Sequence, residues 1–181
     1  MKEEKTSTTS TSNKTSEQNA KGVENEEKIV NFNTTDIPDK LNTASALNAV
    51  LSNVVMAHTS IETAVPYVKN SEFVDNLKQQ IARYKDYEIQ ARDLADKVGV
   101  TLTPHGKMSR FMIQMAIKMK LITDSSDSNI ARLMLLGTIN GVIDLKILVN
   151  HTKNIESNAV DLVKKVLYYE EDKTESSKRY L

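Results

Sequence analysis

Long runs of apolar residues spaced three and four positions apart constrain this chain more than any other feature. The clearest run comprises Leu47, Leu51, Val54, His58, Ile61, Val65 and Val68. This spacing places its members on one face of an α-helix, whereas a strand would require alternation. Glycine and proline are scarce, at 5 and 3 of 181 residues, so little in the sequence interrupts a long helix. The pattern predicts an all-α protein.

Capping residues divide the periodic region into separate helices. Pro66 bends or ends the first helix, Asn70 and Ser71 cap the second, and Gly99 ends it. The predicted helices cover about 41–68, 71–98, 106–122, 129–150 and 157–180. The first two should pair as an antiparallel hairpin. We expect an up-and-down bundle of four long helices with a shorter helix at its crossover.

The first forty residues differ in composition from the rest of the chain. They are rich in Ser, Thr, Asn, Glu and Lys, and cannot bury enough apolar surface to offset the entropy of ordering. We predict a disordered polar tail over 1–40 and a helical bundle domain over 41–181. Because the chain begins Met-Lys-Glu-Glu-Lys and continues into polar residues, we expect neither a signal peptide nor a membrane span. A cytoplasmic location is the default prediction.

Composition excludes several classes of function. The 24 basic and 24 acidic residues cancel, and basic residues are not interleaved with aromatic ones, so nucleic acid is not an expected partner. The absence of cysteine excludes thiolate nucleophiles, zinc–thiolate sites and iron–sulfur clusters. No pattern ties a serine to a histidine. We therefore predict neither catalytic residues nor a cofactor.

Carboxylates on or beside the apolar faces raise the question of a metal site in the bundle. Two observations argue against one. If the chain turns near residue 69, Glu62 and Glu88 lie roughly 18 Å apart along the axis of the helix pair. The residues level with Glu88 would then be Val50 and Leu51. His58 would pair with Glu62, one turn away on the same helix. The E-x-x-H signature of di-iron bundles is also missing. The candidate ligands are His58, Glu62, Glu88, Asp144 and Glu170, or its neighbour Glu171.

The segment after Pro104 combines methionines with basic residues. Its thioether side chains, at spacings of four, three and four, form one stripe, and the segment contains no acidic residue. We expect the stripe to pack in the core beside a solvated basic face, although a soft metal, an acidic partner or a membrane surface would suit it too. The residues concerned are Met108, Met112, Met115, Met119, Lys107, Arg110, Lys118 and Lys120.

Gly137 and Gly141 lie one turn apart inside a predicted helix. Glycine costs about 1 kcal/mol relative to alanine at such positions. The sequence therefore predicts a close approach there by a neighbouring helix, or by a bulky side chain such as Tyr84 or Phe111.

Two stretches, LNAVLSNVVMAHTSIETAV over 47–65 and IARLMLLGTINGVID over 130–144, resemble a family of uncharacterised bacterial helical proteins that look distantly ferritin-like. The resemblance implies a fold and brings no established activity. The ferritin-like ligands cannot be carried over, because their histidines have no counterpart at Ala91 or Lys173.

These observations favour a non-enzymatic helical bundle that acts by association with another protein or with itself. The alternative is a ferritin-like metal-binding protein with an incomplete carboxylate and histidine ligand set. Binding to a membrane surface is less favoured, and it would require the methionines at 112, 115 and 119 to be exposed.

Overall fold

The computed structural model describes residues 42–103, 107–151 and 154–181, with side chains at all of these except 107–109. Within these ranges the chain forms five α-helices and two short 3₁₀ turns, and no strand. The predicted tail at 1–40 and the residue His105 lie outside the described residues. The α-helices are α1 (Thr43–Ala64), α2 (Ser71–Val98), α3 (Lys107–Thr123), α4 (Asp127–Val149) and α5 (Ser157–Ser177), with 3₁₀ turns at Val65–Tyr67 and Lys178–Tyr180.

Local sequence explains where the helices begin and end. The side chains of Asn42, Asn70 and Ser126 each accept a hydrogen bond from the third backbone N–H of the helix that follows. Gly99 ends α2 in the left-handed conformation, at φ 69°, which glycine adopts without a steric penalty. The predicted caps at Asn70 and Gly99 are confirmed.

Helix α1 is the centre of the molecule, since it contacts each of the other four helices. Its apolar side chains, with those of α2, α4 and α5, form one continuous core. Aromatic contacts join α2 to the end of the chain: Phe73 stacks on Tyr180 with ring centroids 4.2 Å apart, and Tyr84 meets Tyr169 edge-on at 5.4 Å.

Contacts between helices show their directions. Residues 58 and 62 of α1 meet residues 88 and 85 of α2, so these two helices are antiparallel, as predicted. The Asp127 carboxylate accepts hydrogen bonds of 2.8 Å from the backbone N–H groups of Lys69 and Asn70, which ties the start of α4 to the connection between α1 and α2. In the part of the chain that the structure describes, no helix combines the length and apolarity needed to cross a bilayer.

Candidate functional site

His58 of α1 is buried between two carboxylates. Its Nε2 lies 3.0 Å from Glu88 Oε2 on α2, and its Nδ1 lies 3.6 Å from Glu62 Oε2, one turn along α1. Because an ionised carboxylate can only accept, Nε2 donates the shorter bond. The predicted pairing of His58 with a carboxylate is confirmed, but the closer partner is Glu88 rather than Glu62.

The predicted height difference between Glu62 and Glu88 was wrong, and the reason lies in the connection between the helices. Val68 and Asn70 have extended backbone dihedrals. Extended residues advance about 3.3 Å each, compared with 1.5 Å in a helix. The connection therefore lifts the start of α2 beyond the end of α1, and Glu88 reaches the level of His58 instead of Val50 and Leu51.

Basic side chains surround both carboxylates. Lys85 Nζ lies 2.6 Å from Glu62, Arg92 of α2 donates two hydrogen bonds to Glu88 at 2.7 and 3.2 Å, and Arg110 of α3 lies 3.9 Å from the same carboxylate. Burial alone would raise the pKa of Glu88, but the bonds from Arg92 and His58 outweigh burial and lower it. We call these six residues the His58 network.

The geometry of the His58 network suits an ion-pair cluster better than a metal centre. The two carboxylates contact opposite nitrogens of one imidazole ring, so the three groups do not converge on a common point. Among the described residues, no group of three or more His, Asp or Glu side chains is placed to hold a metal ion.

Glu170 of α5 occupies a second polar site, inside the core. Its side chain is buried, at 1% exposure, and accepts one long hydrogen bond of 3.5 Å from Asn53 Nδ2 of α1. Burial raises the pKa of Glu170 to about 8, although the Asn53 bond lowers it, and the charge of Asp144 raises it further. Glu170 is therefore mostly a neutral acid at pH 7.

The residues around Glu170 come from the three other long helices, α1, α2 and α4. Tyr84 of α2 is fully buried, and its hydroxyl faces Glu170, whose pKa it lowers. Asp144 of α4 is half-buried, and burial raises its pKa too. We call Asn53, Tyr84, Gly141, Asp144 and Glu170 the Glu170 pocket. The five candidate ligands thus divide between two sites, with His58, Glu62 and Glu88 in one and Asp144 and Glu170 in the other.

Gly141 provides the space that Glu170 fills. A Cβ at this position would collide with Glu170 Oε2 and would lie 2.6 Å from Asn53 Nδ2. The predicted close approach is confirmed at Gly141, but the approaching groups are polar, rather than Tyr84 or Phe111. At Gly137 the prediction was wrong, because a Cβ there would have nothing within 4 Å.

Helix α3 carries the third candidate feature, an exposed apolar stripe that we call the outer α3 face. The core position predicted for Met112, Met115 and Met119 was wrong, because α3 contacts α1 on one side and turns these residues away. Met115 is 42% exposed and Ile122 is 85% exposed, and the others fall between. The outer α3 face comprises Phe111, Met112, Met115, Met119 and Ile122. The side chain of Met108, the fourth methionine of the predicted stripe, lies outside the described ones.

Sequence reasoning missed several residues of these sites. Asn53, Arg92 and Lys85 had no distinguishing signal, because polar residues at helical edges are common. The remaining histidine of the described chain, His151, is exposed, and Glu171 pairs with Lys146 at 2.7 Å. The glycine at position 141 and the candidate carboxylates Asp144 and Glu170 were the signals that pointed to the Glu170 pocket.

Comparison of the chain with protein-family models, with curated proteins and with solved structures finds no match.

Proposed function

We propose that this protein is a non-enzymatic helical bundle that acts by association with another protein, and that the outer α3 face is its binding surface. The observation that carries the proposal is the exposure of five large apolar side chains along one side of a single helix. Contiguous apolar surface of this kind marks interaction sites in soluble proteins, whereas apolar residues scattered singly do not.

Helix α3 is apolar on two sides, which is unusual for a surface helix. Ile117 and Leu121 pack against the core on the side that faces α1. The outer α3 face lies on the opposite side, because successive helical residues are rotated by about 100°. A helix that is apolar all round is normally covered on all sides. A partner that covers the outer α3 face would supply the missing contact.

The two polar sites support a structural role more than a catalytic one. In the His58 network every carboxylate already contacts a basic side chain, and in the Glu170 pocket the space beside the carboxyl group is filled by Asn53 and the α4 backbone. The metal-binding alternative has less support, since its five candidate ligands belong to two separate sites.

We also infer a ferritin-like layout, in which α1, α2, α4 and α5 form an up-and-down bundle and α3 is the crossover helix. Three contacts support it, namely the antiparallel pairing of α1 with α2, the link from Asp127 to the α1–α2 connection, and the bond from the Glu156 N–H to Thr43 Oγ1 at 2.9 Å. Helix α3, with 17 residues, is shorter than the other four.

Site-specific photo-cross-linking in the cells that make the protein tests the binding surface. A benzoylphenylalanine residue would replace Met115, and a matched variant would carry it at Tyr168, an exposed aromatic residue of α5. We expect a discrete adduct with one other protein at position 115 and none at 168. Equal labelling at both positions, or no adduct at either, would contradict the proposal.

A further inference from the structure

We propose that the partner presents an acidic amphipathic helix, which lies lengthwise along the outer α3 face. This inference rests on the proposed function, because it assumes that another protein covers this face, and it adds the shape and the charge of the covering element. Three features of the face carry it, namely its linear form, its methionines and its unpaired positive charge.

The apolar stripe is long, narrow and convex. From Phe111 to Ile122 it runs for three helical turns, or about 16 Å. A stripe on one side of a helix has no concave pocket to receive a single anchoring side chain. It instead matches the ridge of a second helix, whose side chains pack between its own.

The side chains of the stripe suit an adaptable contact. Three of the five are methionines, which are unbranched and can adjust to the shape of an apolar partner. Met112, Met115 and Met119 lie between Phe111 at one end and Ile122 at the other. The flexible centre and the two bulkier ends define a site one helix wide.

The positive charge beside the outer α3 face indicates what charge the partner helix carries. Lys118 and Lys120 are exposed and make no ion pair with any described residue, and α3 has no acidic residue over 107–123. Arg110 differs from them, since it already faces Glu88. The free positive charge beside the stripe therefore favours a partner with carboxylates at the edges of its apolar face.

The same charges disfavour a second copy of the chain and an anionic bilayer as the cover of this face. A second copy would bring its own lysines to a surface that has no acid of its own on α3. An anionic bilayer is recruited by clusters of about four to eight basic residues, whereas this face has two free lysines among its described side chains. An acidic helix satisfies both the apolar stripe and the local charge.

Binding of the full-length protein to two synthetic 18-residue helical peptides tests the inference. Both peptides carry leucine at helical spacing, and one has glutamate and the other lysine at the flanking positions. We expect the glutamate peptide to bind more tightly than the lysine peptide in fluorescence anisotropy. It should shift the methyl resonances of Met112, Met115 and Met119 in NMR spectra and leave those of buried Met134 unchanged.

Two charge-reversal variants sharpen the test. In Lys118→Glu/Lys120→Glu, affinity for the glutamate peptide should fall about fivefold to tenfold at low salt, as expected for the loss of two exposed charge pairs. The matched variant Lys78→Glu/Lys97→Glu, which changes two exposed lysines of α2, should bind like the wild type. Circular dichroism of each variant confirms that the bundle is folded.

Three results would overturn the inference. These are equal affinity for both peptides, binding to vesicles that contain phosphatidylserine without binding to the glutamate peptide, and binding of neither probe. If an adduct still formed at position 115 in cells, the association would stand and only the assignment of an acidic helix would fail. If the glutamate peptide bound and no adduct formed, the face would have this specificity but the proposed function would fail.

Discussion

Helices α1 and α3 are both rich in apolar residues at helical spacing, yet they have opposite environments. Half of α1 is buried, and its core positions include Leu47, Leu51 and Val54 at exposures of 1% or less. Among the described side chains of α3, Leu121 alone is buried. An apolar stripe therefore shows that a helix face needs cover, and does not show whether the same chain provides it.

Neighbours explain the difference. Helix α1 contacts all four other helices, so that every apolar side of it meets another element. Helix α3 packs mainly on α1, and no other helix of the described residues covers its outer side.

Truncation of one side chain in each helix measures the contrast directly. Leu51→Ala should lower the free energy of unfolding by about 2–5 kcal/mol, because it leaves a cavity in a packed core. Met115→Ala should change it by less than about 0.5 kcal/mol, because Met115 is exposed. Urea denaturation followed by circular dichroism measures both values. A loss above about 2 kcal/mol for Met115→Ala would place this residue in a core.

The Glu170 pocket should make stability depend on pH. Glu170 has a folded-state pKa of about 8, above its ordinary value of 4.5, so the folded state holds this proton more tightly than the unfolded state. The stabilisation of the folded state by protonated Glu170 is complete below about pH 4.5 and is lost as the pH rises to about 8. Across this range the free energy of unfolding should fall by up to about 1.4 kcal/mol per pH unit. Midpoints of urea denaturation, measured from pH 5 to 9, would show this loss of stability.

The control for this effect is Glu170→Gln, which keeps the shape and removes the titration. The free energy of unfolding of the variant relative to wild type should rise with pH across the same window. Comparison within this pair cancels the opposite contribution of Glu88, whose pKa is lowered. A difference that does not vary with pH would contradict the raised pKa of Glu170.

Two glycines of α4 repeat the contrast between covered and uncovered faces within one helix. Gly141→Ala should destabilise the protein by about 1–3 kcal/mol, because the added methyl group collides with Glu170 and approaches Asn53. Gly137→Ala should stabilise it by up to about 1 kcal/mol, because the site is open and alanine favours the helix. Thermal unfolding of the two variants would show opposite shifts, and shifts of the same sign would contradict this assignment.

We expect the His58 network to bind no metal ion. The carboxylates of Glu62 and Glu88 contact opposite nitrogens of His58, so that no single ion can bind all three groups without rearrangement. We expect protein purified without chelator to contain no stoichiometric iron, manganese or zinc, and Glu88→Ala to give the same result. Stoichiometric metal that is lost in the variant would revive the metal-binding alternative.

Much of the helical framework was predictable because the signals are local. Asn70 and Gly99 mark the two ends of α2 through capping bonds and backbone conformation that involve only near neighbours. The contact of His58 with Glu88 was not predictable from helix periodicity. It depends on the extra rise of the extended residues between α1 and α2, and an error of about four residues in the position of this turn moves the facing side chain by about two helical turns.

The Glu170 pocket was predictable only in part. Gly141 indicated a close approach, but nothing in its sequence neighbours pointed to Asn53, which lies 117 positions from Glu170 and on a different helix. Burial, which raises the pKa of Glu170, is likewise set by elements that are distant in the chain.

By itself, the sequence determined the helices, their caps, the scarcity of breakers and the apolar stripes, because these depend on backbone conformation and on spacing of about 3.6 residues per turn. The tertiary structure decided which stripes became core. It paired His58 with Glu88, buried Glu170 beside Gly141, and left the outer α3 face exposed. The physical reason is that burial depends on what lies opposite a side chain, and that is set by the packing of distant segments.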